Sequence, residues 1–385
     1  MVPNWTPIFV LPNIPLLTAI ECDIAAIVPA NDPRVTAVKR AHPVFRRFLN
    51  RFSDNFGEKF EPAMLILRAD APAGFLCVSA LASFRDLAAI STIAYNHALK
   101  PQQQHSGHRV MFGEAFTIYP WMLDQQYRDV IGRTPAILGI REVAKFKGQS
   151  SPTVFRTSLD TGDIDQPLLA VLMQRWRQRY NSVEPVWEDI ALFRSLNMAY
   201  HASLLPAATD STFYDVGRIV SLWVSAFEIL VHPGGSGQAN RDKVFELIER
   251  TNWAIPASGA CTHDTGGKIK VKRTLASWLY QALCNCRNDF LHGNPVEQAD
   301  LILTIPQRPV LEYAAPLYRV ALTAFLPLNY DKPPPPFSPI EPYAEYRAKR
   351  TSFLDPQKRI ESAILMATMP PTPSTGPAST GPAKS

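Results

Sequence analysis

From Gln166 to Pro327 apolar residues recur at three- and four-residue intervals, and most such stretches are stopped by proline or glycine. That period fits one face of an α-helix. The expected helices are Leu168–Tyr180, Val186–Leu204, Phe213–Val231, Arg241–Asn252, Thr274–Leu291 and Leu311–Leu326. Pro185 opens the second and Pro206 lies past its end, while His232-Pro233-Gly234-Gly235 ends the third. Pro316 either kinks the last helix or marks its true start. Helices joined by mostly short loops predict an antiparallel, all-α bundle over residues 166–328.

Residues 1–150 read differently. Ile8–Ile14, Ala63–Ala69 and Val110–Tyr119 are expected as short strands, and residues 33–52 and 73–99 as helical, which makes an α+β module. Within FRRFLNRF, Phe45, Phe48, Leu49 and Phe52 share a helical face, so the arginines form a solvated basic side rather than an RNA-stacking surface. His105 and His108 have no third metal ligand in view and read as loop residues. Residues 331–385 change character again. DKPPPPFSPIEPY is a polyproline-type linker, a charged helix is expected over Tyr343–Met366, and the doubled STGPA at the end reads as a disordered tail.

The charge balance of +5 is compatible with a polyanionic partner. Five cysteines without regular spacing argue against a disulfide framework and for a reducing, cytoplasmic setting. The N-terminus has no positive leader region, and no apolar run reaches the length of about 18 residues that a spanning helix needs. No signal peptide and no membrane span are expected. Cys261, His263, Cys284 and Cys286 match no structural zinc spacing, so neither a metal nor another cofactor is expected.

The most informative stretch is CRNDFLHGNP, Cys286–Pro295. On a helical wheel Leu275, Leu279, Ala282, Leu283, Cys286 and Phe290 form one apolar stripe, with Arg287 at its edge. Gly293 suits the left-handed position after a helix and Pro295 forbids continuation, so His292 is about the last helical residue. Arg287 and His292 therefore meet at a helix end, where the imidazole is free to turn back.

Arg-Asn-x-x-x-His at the end of a bundle helix, followed by glycine, resembles the R-x4–6-H motif of the HEPN superfamily, and residues 186–327 resemble its Apea-like branch. FRSLNMAYHAS is similar to that family's first bundle helix and SLWVSAFEILVH, with Glu228, to its second. The bare spacing is common. About one chance match is expected in a chain like this, and Arg194-x6-His201 is such a match. Asn288, the helix end and Gly293 give the Arg287 match its weight.

The resemblance implies metal-independent RNA cleavage by a homodimer, in a setting such as stress or phage defence where a neutralising protein partner is common, as in toxin–antitoxin pairs. The residue types suit that chemistry. RNA brings its own nucleophile, the 2′-OH. His292 is the acid or base, and Arg287 a planar cation for phosphate. Asn288 orients the substrate or holds His292, Glu228 fixes Arg287, and Asp289 pairs with a basic group. Lys268, Lys270, Lys272 and Arg273 would track the RNA backbone. The alternative is a non-catalytic HEPN-like module that binds nucleotide, RNA or protein, or that only dimerises.

Overall fold

The computed structural model describes residues 4–102, 111–132, 146–150, 158–204, 212–266, 269–305, 307–330 and 332–370. Period-two patterning in the N-terminal region builds an antiparallel sheet of order β1-β5-β3-β2, from β1 (Trp5–Leu11), β2 (Ile20–Glu21), β3 (Ala25–Val28) and β5 (Ala63–Arg68). In β5 alternate residues enter two cores. Leu65 and Leu67 face one, Met64 and Ile66 the other. Between β3 and β5 run α1 (Pro33–Ala41), α2 (Pro43–Leu49) and the short strand β4 (Phe52–Ser53).

The stretch expected to be helical over residues 33–52 is split at His42-Pro43. Pro43 has no N–H to continue α1, and it forces His42 to φ −126° and ψ 92°. In α2 the Phe45, Phe48 and Leu49 side chains are buried while Arg46 and Arg47 face solvent, as the amphipathic pattern requires. β6 (Trp121–Leu123) and β7 (Val130–Gly132) form a hairpin, and β8 (Gly148–Gln149) pairs with β4. The strand expected over 110–119 does not form among its described residues, which hold instead a 3-10 turn at Gly113–Phe116. Phe116 is buried there, and Gly113 donates its N–H to the Ser203 carbonyl at 3.0 Å. Packing against that helix end replaces strand pairing.

Helix α3 (Val78–His97) leaves the sheet region and packs against α4 (Gln166–Asn181), α5 (Trp187–Ala202) and α9 (Ala314–Phe325). One continuous core thus joins the inner sheet face to the helices. α6 (Tyr214–Leu230) lies on α5, and α8 (Leu275–Leu291) lies on α6, α7 (Arg241–Glu249) and α9. Pro316 sits in the first turn of α9, where a missing N–H is tolerated. The strand-rich N-terminal region followed by helices is the arrangement the sequence predicts, but the helical part is not all-α, because His263–Thr265 pairs with Val271–Arg273 and Ile302–Leu303 with Arg308–Pro309.

The charged helix expected at Tyr343–Met366 is α10 (Ile340–Leu365), and its second half is docked. Ile360, Ala363 and Ile364 are buried, and Glu361 accepts the Ala254 and Ile255 N–H groups at 2.8 and 2.6 Å. No described helix is long and apolar enough to cross a membrane. His105 and His108 lie outside the described residues.

His97, near the end of α3, gives the fold a pH dependence. Its Nε2 lies 2.9 Å from the Met111 carbonyl, and burial pushes its pKa down to about 4. Between about 6.5 and that value the unfolded chain binds a proton that the folded chain refuses, so stability falls as pH falls. The ring keeps some solvent contact, which holds the effect to about 2 kcal/mol. Urea midpoints from pH 7 to pH 4 should drop less in His97→Gln than in the wild type. Parallel curves would dismiss this assignment.

Candidate functional site

Helix α8 starts on a side-chain cap, with the Ser277 N–H bonded to Thr274 Oγ1 at 3.2 Å. It ends in a Schellman motif. Asn294 donates its N–H to the Asp289 carbonyl (3.0 Å), Gly293 to that of Phe290 (3.4 Å), and Gly293 takes φ +70°. A side chain at Gly293 would carry the left-handed strain, so this glycine fixes where the helix stops. His292 is the C-cap residue, exposed, its own N–H bonded to the Asn288 carbonyl at 2.9 Å. Asn288 is exposed one turn earlier on the same side.

Arg287 is half-buried. Its Nη1 donates to Glu228 Oε1 on α6 at 3.1 Å, the partnership expected for that glutamate. Asp289 differs from expectation. Its carboxylate accepts the Asn294 side-chain amide at 3.0 Å and makes no described ion pair, so it reinforces the helix stop. Five residues separate Arg287 from His292, about 140° around the axis. No hydrogen bond links the two among the described residues. Helical Cβ atoms tilt toward the N-terminus, which draws the guanidinium back along α8 toward Glu228 and away from the histidine.

Among the described residues, Glu228 is the carboxylate that pairs with Arg287. Burial pushes the Cys284 thiol up to about 11 and the Tyr280 hydroxyl well above its ordinary value. The Cys286 thiol is likewise pushed up to about 11 by burial. These groups stay uncharged near neutrality and are not activated nucleophiles.

The basic run before α8 sits at the other end of the helix, about 25 Å from His292. Lys268 lies outside the described residues. Lys270 reaches the Gly266 carbonyl at 3.4 Å, Lys272 pairs with Asp264 at 3.0 Å, and Arg273 pairs with Glu249 at 2.9 Å and covers the Phe245 ring. Arg194 and His201, the chance match, are on α5. Arg194 rests over the Trp187 ring, and His201 is in the last turn, near Asp86.

One residue near this group carries no sequence signal: Arg241, the first residue of α7. No motif marks it, and only the packing of α7 on α8 brings it near Glu228. A cleft lies elsewhere, in the strand-rich region. It measures about 1120 Å³ and is lined by Trp5, Arg34, His42, Arg68 and Tyr127 among others. Both its arginines are occupied, Arg34 by Asp32 and Glu21 and Arg68 by Asp70. Comparison with protein-family models, curated proteins and solved structures found no match for this chain.

Proposed function

We propose that this chain is a metal-independent endoribonuclease of HEPN type, working as a homodimer, with Arg287 and His292 at its active site. One observation carries the reading: a half-exposed guanidinium is fixed by a carboxylate from the neighbouring bundle helix, on the same helix end as an exposed histidine stopped by a Schellman glycine. In the proposed reaction a base takes the proton of the 2′-OH, the 2′-oxygen attacks the adjacent phosphorus, and the bond to the 5′-oxygen breaks. An acid protonates that leaving oxygen, so the products are a 2′,3′-cyclic phosphate and a 5′-hydroxyl. Arg287 offsets the charge on the phosphorane oxygens. His292 supplies base or acid, and a second chain supplies the other histidine.

That no hydrogen bond joins Arg287 to His292 within one chain among the described residues favours a second reading, a helical module that binds RNA, nucleotide or protein without cleaving. Purified protein incubated with RNA in EDTA separates them. Cyclic-phosphate ends that vanish in the Arg287→Ala/His292→Ala double variant support cleavage at this site. Cleavage equal in the double variant and the wild type would end the assignment.

A further inference from the structure

Helices α7 and α8 pack antiparallel in a register that can be read from their contacts. Glu249 meets Arg273 at 2.9 Å and Ser277 at 3.0 Å. One turn back along α7, Phe245 lies 6.0 Å from the Tyr280 ring, one turn on along α8. The next turn sets Arg241 level with Cys284. Helix α6 delivers Glu228 nearby, since its neighbour Phe227 packs 5.0 Å from Tyr280. Arg287 reaches back to the same place through its 3.1 Å bond to Glu228. Consistent with this convergence, the Cys284 thiol feels the charges of Glu228, Arg287 and Arg241 together.

The charges there do not cancel. Two guanidiniums face the Glu228 carboxylate, the buried Cys284 and Tyr280 are neutral, and Asp242 in the first turn of α7 makes no described ion pair with either guanidinium. Arg241 is half-buried, with its guanidinium 5.7 Å from the Phe245 ring centroid, and it makes no hydrogen bond or ion pair among the described residues. A partly desolvated cation without a counter-charge is costly. Lys272 and Arg273 at the other end of α8 each have a carboxylate.

We infer that Arg241 and Arg287 form a two-guanidinium subsite that holds the phosphate of single-stranded RNA that Arg287 meets at the proposed cleavage site. The inference rests on the ribonuclease reading for its substrate. Glu228 sets its strength, by fixing Arg287 and leaving the pair one net positive charge. A phosphodiester supplies the missing negative charge and accepts from both planar forks.

The test uses the full chain and a short fluorescein-labelled 2′-O-methyl RNA, which binds but has no free 2′-OH to react. Anisotropy titrations over a salt series give affinity and salt slope. Arg241→Ala should weaken binding roughly tenfold and flatten the log–log slope by about 0.7. Arg241→Lys should keep the slope while losing part of the affinity, and Glu228→Gln should tighten binding. Lys243→Ala, whose amine donates to the Gln238 carbonyl at 3.1 Å, should match the wild type. Melting curves check that each variant folds, and Arg241→Lys preserves the contrast if Arg241→Ala does not. Wild-type affinity and slope in Arg241→Ala, or no binding by the wild type, overturns the subsite. Unmodified RNA tests the two readings apart. The binding pattern without cleavage keeps the subsite and removes the ribonuclease. Cleavage that is indifferent to Arg241 removes the subsite and keeps the ribonuclease.

Discussion

Alanine at His292 should lower RNA cleavage by about 10²- to 10⁴-fold while leaving the melting temperature unchanged. The imidazole is exposed and the helix stop is built from backbone and Gly293, so folding does not use it. Surface changes of that kind usually stay within about 0.5 kcal/mol. Arg287→Ala differs, because it also strips the Glu228 carboxylate of its partner. It should lose cleavage and about 1 kcal/mol of stability together. Co-expressed Arg287→Ala and His292→Ala chains test the two-histidine site. A mixed dimer keeps one native arginine and one native histidine, so it should stay inactive if each site takes a histidine from both chains. Recovery to about a quarter of wild-type activity, the share that random pairing gives, would mean that one arginine and one histidine suffice across the dimer. Equal cleavage by His292→Ala and the wild type would remove His292 from the chemistry.

What could be read from the chain follows the range of the forces involved. Helices α5, α6 and α8 are visible because burial of one face imposes a 3.6-residue period, and their ends because proline and glycine act locally. The Gly293 stop belongs to the same class, and with it the position of His292. The Val110–Tyr119 stretch shows the limit. Its apolar residues satisfy a strand pattern, yet the described part is claimed by the end of α5, through Gly113 and Ser203. A contact across ninety positions leaves no local mark. Docking of α10 is hidden for the same reason. Its composition is charged, and the carboxylate of Glu361 is buried because it caps N–H groups more than a hundred residues away. Within the candidate site the Glu228–Arg287 pair was suggested by resemblance to a family, while Arg241 depends on helix register and could not be inferred from spacing.

The same distinction governs the largest expected loss of stability. Arg319→Met should destabilise the fold by about 3–5 kcal/mol. Arg319 on α9 and Asp165 before α4 are almost entirely buried, 2% and 1% exposed, and Arg319 Nε donates to Asp165 Oδ2 at 2.6 Å. Asp165 has further duties. Its Oδ1 caps α4 through the Leu168 N–H at 3.1 Å, and its own N–H bonds the Ser91 carbonyl of α3 at 3.0 Å. The pair therefore ties α3, α4 and α9 together. Methionine fills much of the arginine's volume but leaves a carboxylate buried without its counter-charge. The cost arises from that stranded anion more than from the lost attraction, since two charges leaving water regain little by meeting. The double variant Asp165→Ser/Arg319→Met tests this division. Serine keeps the cap and removes the anion, so the double variant should be more stable than Arg319→Met alone, by a coupling of about 1–3 kcal/mol in urea titrations. Additive losses would mean that the two side chains do not act on each other's contribution, and would remove the pair as the tie between these three helices.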